Sequence, residues 1–135
     1  MPDTGASSPT PDSPARILVV DDDPLITLLL TDMLRLDGHD IDTAPNGIVA
    51  LQKVQRRRYD LILSDLHMPE MDGAALYREL LQRQAHPPGK IIFLTGTAGV
   101  SEAHQVVQET GLPLLRKPFS LVELLALVRK VLHTP

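Results

Sequence analysis

Residues 61–73 have the sequence LILSDLHMPEMDG, a short apolar run followed by an aspartate and a loop that contains proline and glycine. The apolar residues 61–63 predict a buried strand. The loop over residues 68–73 leads into a helix that we expect to end near Gln84. Together these elements form one βα unit, and Asp65 stands where its strand ends.

The same alternation of strand and helix extends in both directions from this unit. Apolar runs such as residues 17–20 are typical of parallel strands that are buried on both faces. Strands are predicted over residues 17–20, 39–44, 61–63, 90–95 and 112–115. Five helices are predicted between and after these strands. They run from Pro24 to about Asp37 before Gly38, from Asn46 to about Arg57, from the 68–73 loop to near Gln84, over residues 101–109, and from a capping box at Ser120 and Glu123 onward. Five such units predict an α/β, doubly wound sheet.

Residues 1–15 differ from this pattern, because they hold four prolines among Ser, Thr, Asp and Gly. Such a segment cannot bury enough apolar surface to offset its ordering entropy. We therefore predict a flexible tail or linker over residues 1–15 and one folded domain over residues 16–133.

The composition excludes several classes of function. The 135 residues include no cysteine, which excludes disulfides, Cys-based metal sites and thiol catalysis. A net charge of −4 and only four aromatic residues argue against direct nucleic-acid binding. No apolar run reaches the roughly 18 residues that span a bilayer. These bounds predict a cytoplasmic domain that contacts neither nucleic acid nor membrane and has a protein as its partner.

Polar side chains follow four of the predicted strands. Asp21 and Asp22 follow the first strand, Asp65 the third, Thr95 the fourth and Lys117 the fifth. Each is a weak signal alone, since acidic turns, capping threonines and Lys-Pro pairs are common. In doubly wound sheets, however, ligands bind beyond the carboxyl ends of the strands. The sequence therefore predicts one functional site at this edge of the sheet.

The predicted site has the chemistry of phosphoryl transfer. Clustered carboxylates resist joint ionisation unless a cation is present, and oxygen ligands suit Mg²⁺. The transferred group has three equatorial oxygens to neutralise, which the metal, the Lys117 ammonium and the Thr95 hydroxyl can share. No Ser or Cys is placed for activation by a base, so the nucleophile must be a carboxylate. Asp65, on the central strand, is the best candidate.

Four segments resemble the signature segments of two-component response-regulator receiver domains. They are ILVVDDDP, LILSDLHMPEMDG, IIFLTGTA and LLRKPFS, in the family's order and spacing over about residues 15–133. The chain looks like the receivers of chemotaxis regulators, and LTGTA is similar to receivers of hybrid histidine kinases. The resemblance implies a flavodoxin-like sheet with strand order 2-1-3-4-5 and five helices. It also implies phosphoryl transfer from a phosphohistidine of a histidine kinase or a histidine phosphotransfer protein, to a chain that is not itself an enzyme.

The resemblance implies a phosphoacceptor and a metal site. Asp65 would take the phosphoryl group, and Asp21 and Asp22 would form the family's acidic pair. Mg²⁺ would bind Asp22, Asp65 and the main-chain carbonyl of His67, with Asp21 acting through water. Asp23 falls outside the pair, and we expect it to help start the first helix.

The resemblance also implies a switch. Thr95 would be the switch hydroxyl and Lys117 the lysine that contacts the phosphoryl group, with a Lys117–Pro118 bond that is often cis in this family. Leu114 departs from the family, whose best-known members have Tyr or Phe there, so a coupled aromatic rotation is not expected. His67 and Thr97 occupy positions that tune autodephosphorylation, and neither is an acid or an amide. We therefore predict a long-lived phosphorylated form.

Two alternatives to a signalling receiver remain at this point. A haloacid-dehalogenase-like phosphohydrolase would use the same chemistry, but residues 21–25 lack the threonine of its Asp-x-Asp-x-Thr motif. A pseudo-receiver would bind a partner without accepting phosphate, against which the full set of Asp, Thr and Lys argues.

The helix patterns predict both core and surface. In the first helix one face is expected to hold Ile26, Leu29, Leu30, Met33 and Leu34, with Leu28 nearly opposite as a candidate contact for the phosphodonor. In the last helix the stripe is expected to hold Leu121, Leu124, Leu125, Val128 and Leu132. Further apolar residues there suggest a homodimer or effector surface. His39, His86, His104 and His133 are predicted at the surface, and residues 56–58 are predicted to complement a helix dipole.

Overall fold

The computed structural model describes residues 14–83, 90–96 and 100–133. The strands are β1 Arg16–Val20, β2 Asp40–Ala44, β3 Leu61–Asp65, β4 Ile91–Thr95 and β5 Leu114–Arg116. The helices are α1 Pro24–Leu36, α2 Gly47–Arg56, α3 Gly73–Arg83, α4 Val100–Thr110 and α5 Leu121–His133. Within those ranges, every helix is too short or too polar to cross a membrane.

The five strands form one parallel sheet in the order β2-β1-β3-β4-β5. This is the predicted doubly wound sheet with strand order 2-1-3-4-5. The chain adds β2 on one side of β1 and then β3, β4 and β5 on the other, so the switch point lies between β1 and β3. In such a sheet the carboxyl ends of all strands lie along one edge, where a crevice opens at the switch point. The ends of β1 and β3 are therefore neighbours.

Alternate residues of each strand face opposite layers of core. Leu18 and Val20 face a cluster under α2 and α3, while Ile17 and Val19 face a second cluster under α1 and α5. All residues of β3 and β4 are buried, as the continuous apolar runs predict. The central strands are thus held from both faces, which fixes the position of their ends.

Local signals set the helix ends where they were predicted. The Asn46 side chain accepts a hydrogen bond from the Val49 amide at the start of α2. Ser120 and Glu123 form a reciprocal capping box, since each side chain accepts from the other residue's amide at 3.0 Å. Gly38 ends α1 with φ +89°, in the left-handed region that favours glycine.

Three sequence predictions about packing are wrong in detail. Strand β5 begins at Leu114 rather than at residue 112, because Pro113 has no amide to donate to the sheet. Leu29 and Leu121, assigned to buried stripes, are 45% and 39% exposed. In α5 Val131 is buried instead. Both helices cross the sheet with narrower contact faces than their apolar stripes suggest.

His39 is buried, so its predicted surface position is wrong. Its Nδ1 accepts a hydrogen bond from the Ala15 amide at 3.0 Å, and its Nε2 lies 3.5 Å from Asp37, which Arg129 also binds. His104 and His133 are exposed as predicted, and His86 lies outside the described residues. The predicted tail is described only from Pro14 onward, and Ala15 is buried against His39.

Candidate functional site

The end of β1 supplies one buried and one exposed carboxylate. The Asp21 side chain is buried, with Oδ1 accepting from the Asp23 amide at 2.9 Å. Asp22 is exposed. The Asp23 side chain instead accepts a hydrogen bond from the Leu25 amide, so Asp23 caps the start of α1, as expected. The acidic run thus divides into two site residues and one helix cap.

The end of β3 places Asp65 beside this pair. Asp65 is 7% exposed, and its backbone is fixed because the next amide, of Leu66, donates to the Leu94 carbonyl in β4. The following loop folds back onto the strand end, where a Cβ on Gly73 would lie 2.5 Å from the Asp65 carbonyl oxygen. Only glycine permits this approach. Gly73 is therefore a supporting residue that the sequence marked as a loop end but not as part of the site.

Lys117 joins the two carboxylates. Its Nζ lies 3.0 Å from Asp21 Oδ2 and 3.6 Å from Asp65 Oδ1. Its amide donates to the Thr95 carbonyl at 2.7 Å, and the Lys117–Pro118 peptide bond is cis, as the resemblance implies. The ammonium therefore bridges residues that are 96 and 52 positions before it in the chain.

Thr95 presents a buried hydroxyl at the same edge. Its side chain is 3% exposed, and Oγ1 has no hydrogen-bond partner in the part of the chain that the structure describes. A buried hydroxyl without a partner costs free energy of about 1–3 kcal/mol. Such a group is poised to donate to a new acceptor that enters the site.

Carboxylate oxygens of Asp21, Asp22 and Asp65 all lie within 4.8 Å of one another. Three hard oxygen donors at this separation suit Mg²⁺, which keeps several waters and takes few protein ligands. The donor set thus fits the predicted metal. The side chain of His67 is exposed, and its main-chain carbonyl remains a predicted ligand.

The charges of the site perturb one another. Burial, followed by the negative charge of Asp21, raises the pKa of Asp65, although Lys117 and a backbone hydrogen bond from His67 act in the opposite direction. For Lys117 burial works to lower the pKa, but the hydrogen bond to Asp21 and the charge of Asp65 outweigh it and raise the pKa. A cation that entered beside these groups would favour an ionised Asp65.

Leu114 lies on the strand next to Thr95 but not opposite it. It is half-buried against the core cluster that contains Phe93, its partner across the β4–β5 pair. The residue opposite Thr95 is Arg116, and Thr97 lies outside the described residues. The position where the best-known receivers have Tyr or Phe is thus occupied by this leucine, which has no ring to rotate with the Thr95 hydroxyl.

Comparisons with known proteins agree with this geometry. The sequence profile of the response regulator receiver domain matches residues 17–129. Transcriptional regulatory protein GlrR of Escherichia coli K12 is 37% identical over 105 residues, which are 78% of this chain and 23% of that protein. Sensor protein EvgS of the same strain is 43% identical over 86 residues, which are 64% of this chain and 7% of that protein. The chain therefore spans a quarter or less of these relatives.

Two solved structures are similar over almost the whole described chain. Vibrio cholerae chemotaxis protein CheY4 has a TM-score of 0.79 and 31% identity, covering 88% of this chain and 99% of that one. The receiver domain of sensor histidine kinase PA1611 from Pseudomonas aeruginosa has a TM-score of 0.78 and 30% identity, covering 90% of this chain and 100% of that one. The latter structure holds a magnesium ion in its active-site cleft.

Proposed function

This chain belongs to the response regulator receiver family, the phosphoacceptor domains of two-component signalling, and we propose that Asp65 is its phosphorylation site. The observation that carries the proposal is the Lys117 ammonium, which lies between Asp21 and Asp65 at one strand edge. That geometry brings a nucleophilic carboxylate and a fixed cation to the same point. Neither alternative function receives support from the site or from the relatives.

In the proposed reaction a carboxylate oxygen of Asp65 attacks phosphorus. An O–P bond forms, the N–P bond of a phosphohistidine breaks, and the electron pair returns to the imidazole nitrogen. Lys117 is placed to bind one phosphoryl oxygen, because its ammonium already contacts the attacking carboxylate. The acceptor thus receives the group with no covalent step by any other residue.

We further propose that Mg²⁺ binds Asp22, Asp65 and the His67 main-chain carbonyl, with Asp21 acting through water. The three carboxylates within 4.8 Å of one another support this assignment. When bound, Mg²⁺ supplies positive charge that offsets the phosphoryl oxygens. The chain's own contribution is to hold the carboxylates at the end of two buried strands.

The unpartnered hydroxyl of Thr95 supports a role as the switch. It is buried at the same edge as Asp65 and lacks a hydrogen-bond partner among the described residues. A phosphoryl oxygen on Asp65 would offer a charged acceptor, and such bonds are stronger than neutral ones. With Leu114 in place of an aromatic residue, the signal would pass through Thr95 and the following loop.

The partner we propose is a histidine kinase or a histidine phosphotransfer protein, met in the cytoplasm. Leu25 and Leu28, at the start of α1 close to Asp22, are 73% and 58% exposed and offer an apolar contact beside the site. The domain then acts as the phosphoacceptor, assisting its own phosphorylation and dephosphorylation, and is not otherwise an enzyme. A homodimer or an effector complex through α5, where Val122 is 76% exposed, is a further proposal.

Incubation with acetyl phosphate and Mg²⁺, followed by intact mass measurement, tests the assignment. We expect the wild-type chain to gain one phosphoryl group and Asp65→Asn to gain none. Asp32→Asn is the matched control, because Asp32 is an exposed carboxylate of α1. Labelling of Asp65→Asn at the wild-type level would assign the phosphoryl group to another residue, and unlabelled wild-type protein would support a pseudo-receiver.

A further inference from the structure

The end of α2 carries a basic surface far from the carboxylate site. We call Lys53, Arg56, Arg57 and Arg58 the basic edge; the three arginines are exposed. The edge precedes β3, whereas Asp65 ends that strand, and four steps of about 3.3 Å separate the two ends of β3. The basic edge and Asp65 therefore lie at opposite ends of β3.

Only part of the basic edge is used internally. Arg57 binds Asp42 at 2.9 Å, and Lys53 donates to the Thr43 carbonyl at 2.5 Å. Arg56 and Arg58 pair with no carboxylate in residues 14–83, 90–96 and 100–133. As far as the described residues go, these two guanidinium groups leave their donors to solvent or to a partner.

The helix dipole explains only some of these charges. Lys53 and Arg56 lie in the last turn of α2, where cations are favoured. Arg58 lies beyond the C-cap Arg57, and the effect of the dipole falls off within the last turn. Stabilisation of the helix dipole therefore accounts for Lys53 and Arg56 but not for Arg58.

Two shallow depressions flank the basic edge. One of about 230 Å³ is lined by Asp42, Lys53, Arg56, Arg57 and Tyr59. The other, of about 430 Å³, is lined by Pro14, Ala15, Arg16, Asp40, Arg58 and Asp60. Together they hold five cationic side chains and three carboxylates, although the whole chain has a net charge of −4.

The three carboxylates of this surface are already engaged. Asp42 accepts from Tyr59 at 2.6 Å as well as from Arg57. Asp60 accepts from the Arg16 amide at 2.8 Å, and Asp40 pairs with the Arg16 side chain. Within the described residues, none of the three forms an ion pair with Arg56 or Arg58.

We propose that the basic edge binds an acidic segment of a partner protein. Guanidinium groups form two-pronged hydrogen bonds to carboxylates. Arg56 and Arg58 can offer their donors for such bonds, since no carboxylate of the described ranges pairs with them. A short acidic segment would contact only this positive surface. A long polyanion such as nucleic acid would also meet the negative remainder of the chain, which opposes its approach.

The experiment measures binding of a fluorescein-labelled decapeptide that contains six glutamates to the full chain, by anisotropy at low salt. A peptide with glutamines in place of the glutamates is the probe control. Arg56→Gln/Arg58→Gln removes the two free cations. Arg35→Gln/Arg78→Gln is matched to it, because it removes two exposed arginines from α1 and α3 and changes the net charge equally.

We expect the glutamate peptide to bind saturably to the wild-type chain. Arg56→Gln/Arg58→Gln should weaken this binding about fivefold, the loss expected for two exposed ion pairs. Arg35→Gln/Arg78→Gln should leave it unchanged. Arg56→Lys/Arg58→Lys should give an intermediate loss, since it keeps the charge but not the fork. Equal weakening by both glutamine pairs, equal binding of the glutamine peptide, or no saturable binding would each overturn the proposal. Tightening of the same size in Asp3→Asn/Asp12→Asn would also overturn it, because the chain's own acidic residues would then be the occupant.

Discussion

The buried carboxyl of Asp65 makes the stability of the fold depend on pH. Burial and the charge of Asp21 raise its pKa, so the folded state holds the proton more tightly than the unfolded chain does. Above that raised pKa the ionised carboxylate therefore costs stability. The cost is relieved as the pH falls through the raised pKa toward the ordinary value of 3.8.

Asp65→Asn should accordingly stabilise the fold in the absence of Mg²⁺. We expect the free energy of unfolding at neutral pH to rise by about 1 kcal/mol, because the charge repulsion disappears while Lys117 keeps its bond to Asp21. The gain should shrink as the pH is lowered toward the ordinary value of 3.8, because the raised pKa lets the folded wild-type chain take up the proton first. Urea unfolding at neutral pH and at the lower pH measures this. An asparagine variant that is less stable at both would show that the ion pair with Lys117 outweighs the repulsion.

His67 sets a second expectation at the scale of the residue. Its side chain is exposed two positions after Asp65, and an imidazole there is neither an acid nor an amide. Because attacking water would be poorly oriented, we expect the phosphorylated form to live longer than minutes without a phosphatase. His67→Gln should shorten that lifetime severalfold, while His133→Gln, at another exposed histidine, should not. Intact mass, measured at intervals after acetyl phosphate is removed, gives the lifetime. A half-life of seconds for the wild-type chain would contradict this expectation.

Among the elements, the loop between β3 and α3 holds a strained turn beside the site. Glu70 has φ +72°, and the Met71 amide donates to the Pro69 carbonyl at 2.8 Å across it. A side chain in this region costs about 1–2 kcal/mol, against about 0.5–1 kcal/mol for the extra freedom of glycine when unfolded. Glu70→Gly should therefore raise the free energy of unfolding by about 0.5 kcal/mol. Glu70→Ala, which removes the carboxylate but keeps the strain, should give no gain in the same urea titration.

Helix α1 carries the contact proposed for the phosphodonor. Leu28→Glu should slow transfer from a phosphorylated histidine phosphotransfer protein by about tenfold, the effect of burying one unpaired charge in a contact. It should leave labelling by acetyl phosphate unchanged. Leu36→Glu is the matched control, because Leu36 is 82% exposed at the far end of the same helix. Equal loss with both donors would place the effect of Leu28 in the fold rather than in docking.

The elements also show where sequence patterns suffice. Asn46, Gly38 and the Ser120–Glu123 pair act through neighbours a few positions away, so their roles were predictable from local spacing. The exposure of Leu29 and Leu121 was not, because it depends on the angle at which each helix crosses the sheet. The start of β5 was displaced by Pro113, a local signal that the apolar run concealed.

For the whole molecule, topology made the site predictable. Ligands bind at the carboxyl ends of parallel strands, and this rule predicts from the sequence alone that Asp21, Asp65 and Lys117 lie together. It did not predict the close approach of Gly73 to the Asp65 carbonyl or the burial of His39. Those contacts link segments that are distant in the chain, and no spacing rule relates them. The roles of the site residues remain predictions that the labelling experiments test.

Mg²⁺ should stabilise the whole molecule, since it would bind the folded carboxylate cluster and not the dispersed aspartates of the unfolded chain. At tenfold its dissociation constant a ligand of this kind adds about 1.4 kcal/mol, which corresponds to a rise in Tm of about 5 °C. Differential scanning calorimetry with Mg²⁺ and with excess EDTA measures the shift. Asp22→Asn should lose most of it, because this exposed carboxylate belongs to the cluster. Asp32→Asn, which removes an exposed carboxylate outside the cluster, should keep it in full. A shift of the same size in Asp22→Asn would place the cation elsewhere on this acidic chain.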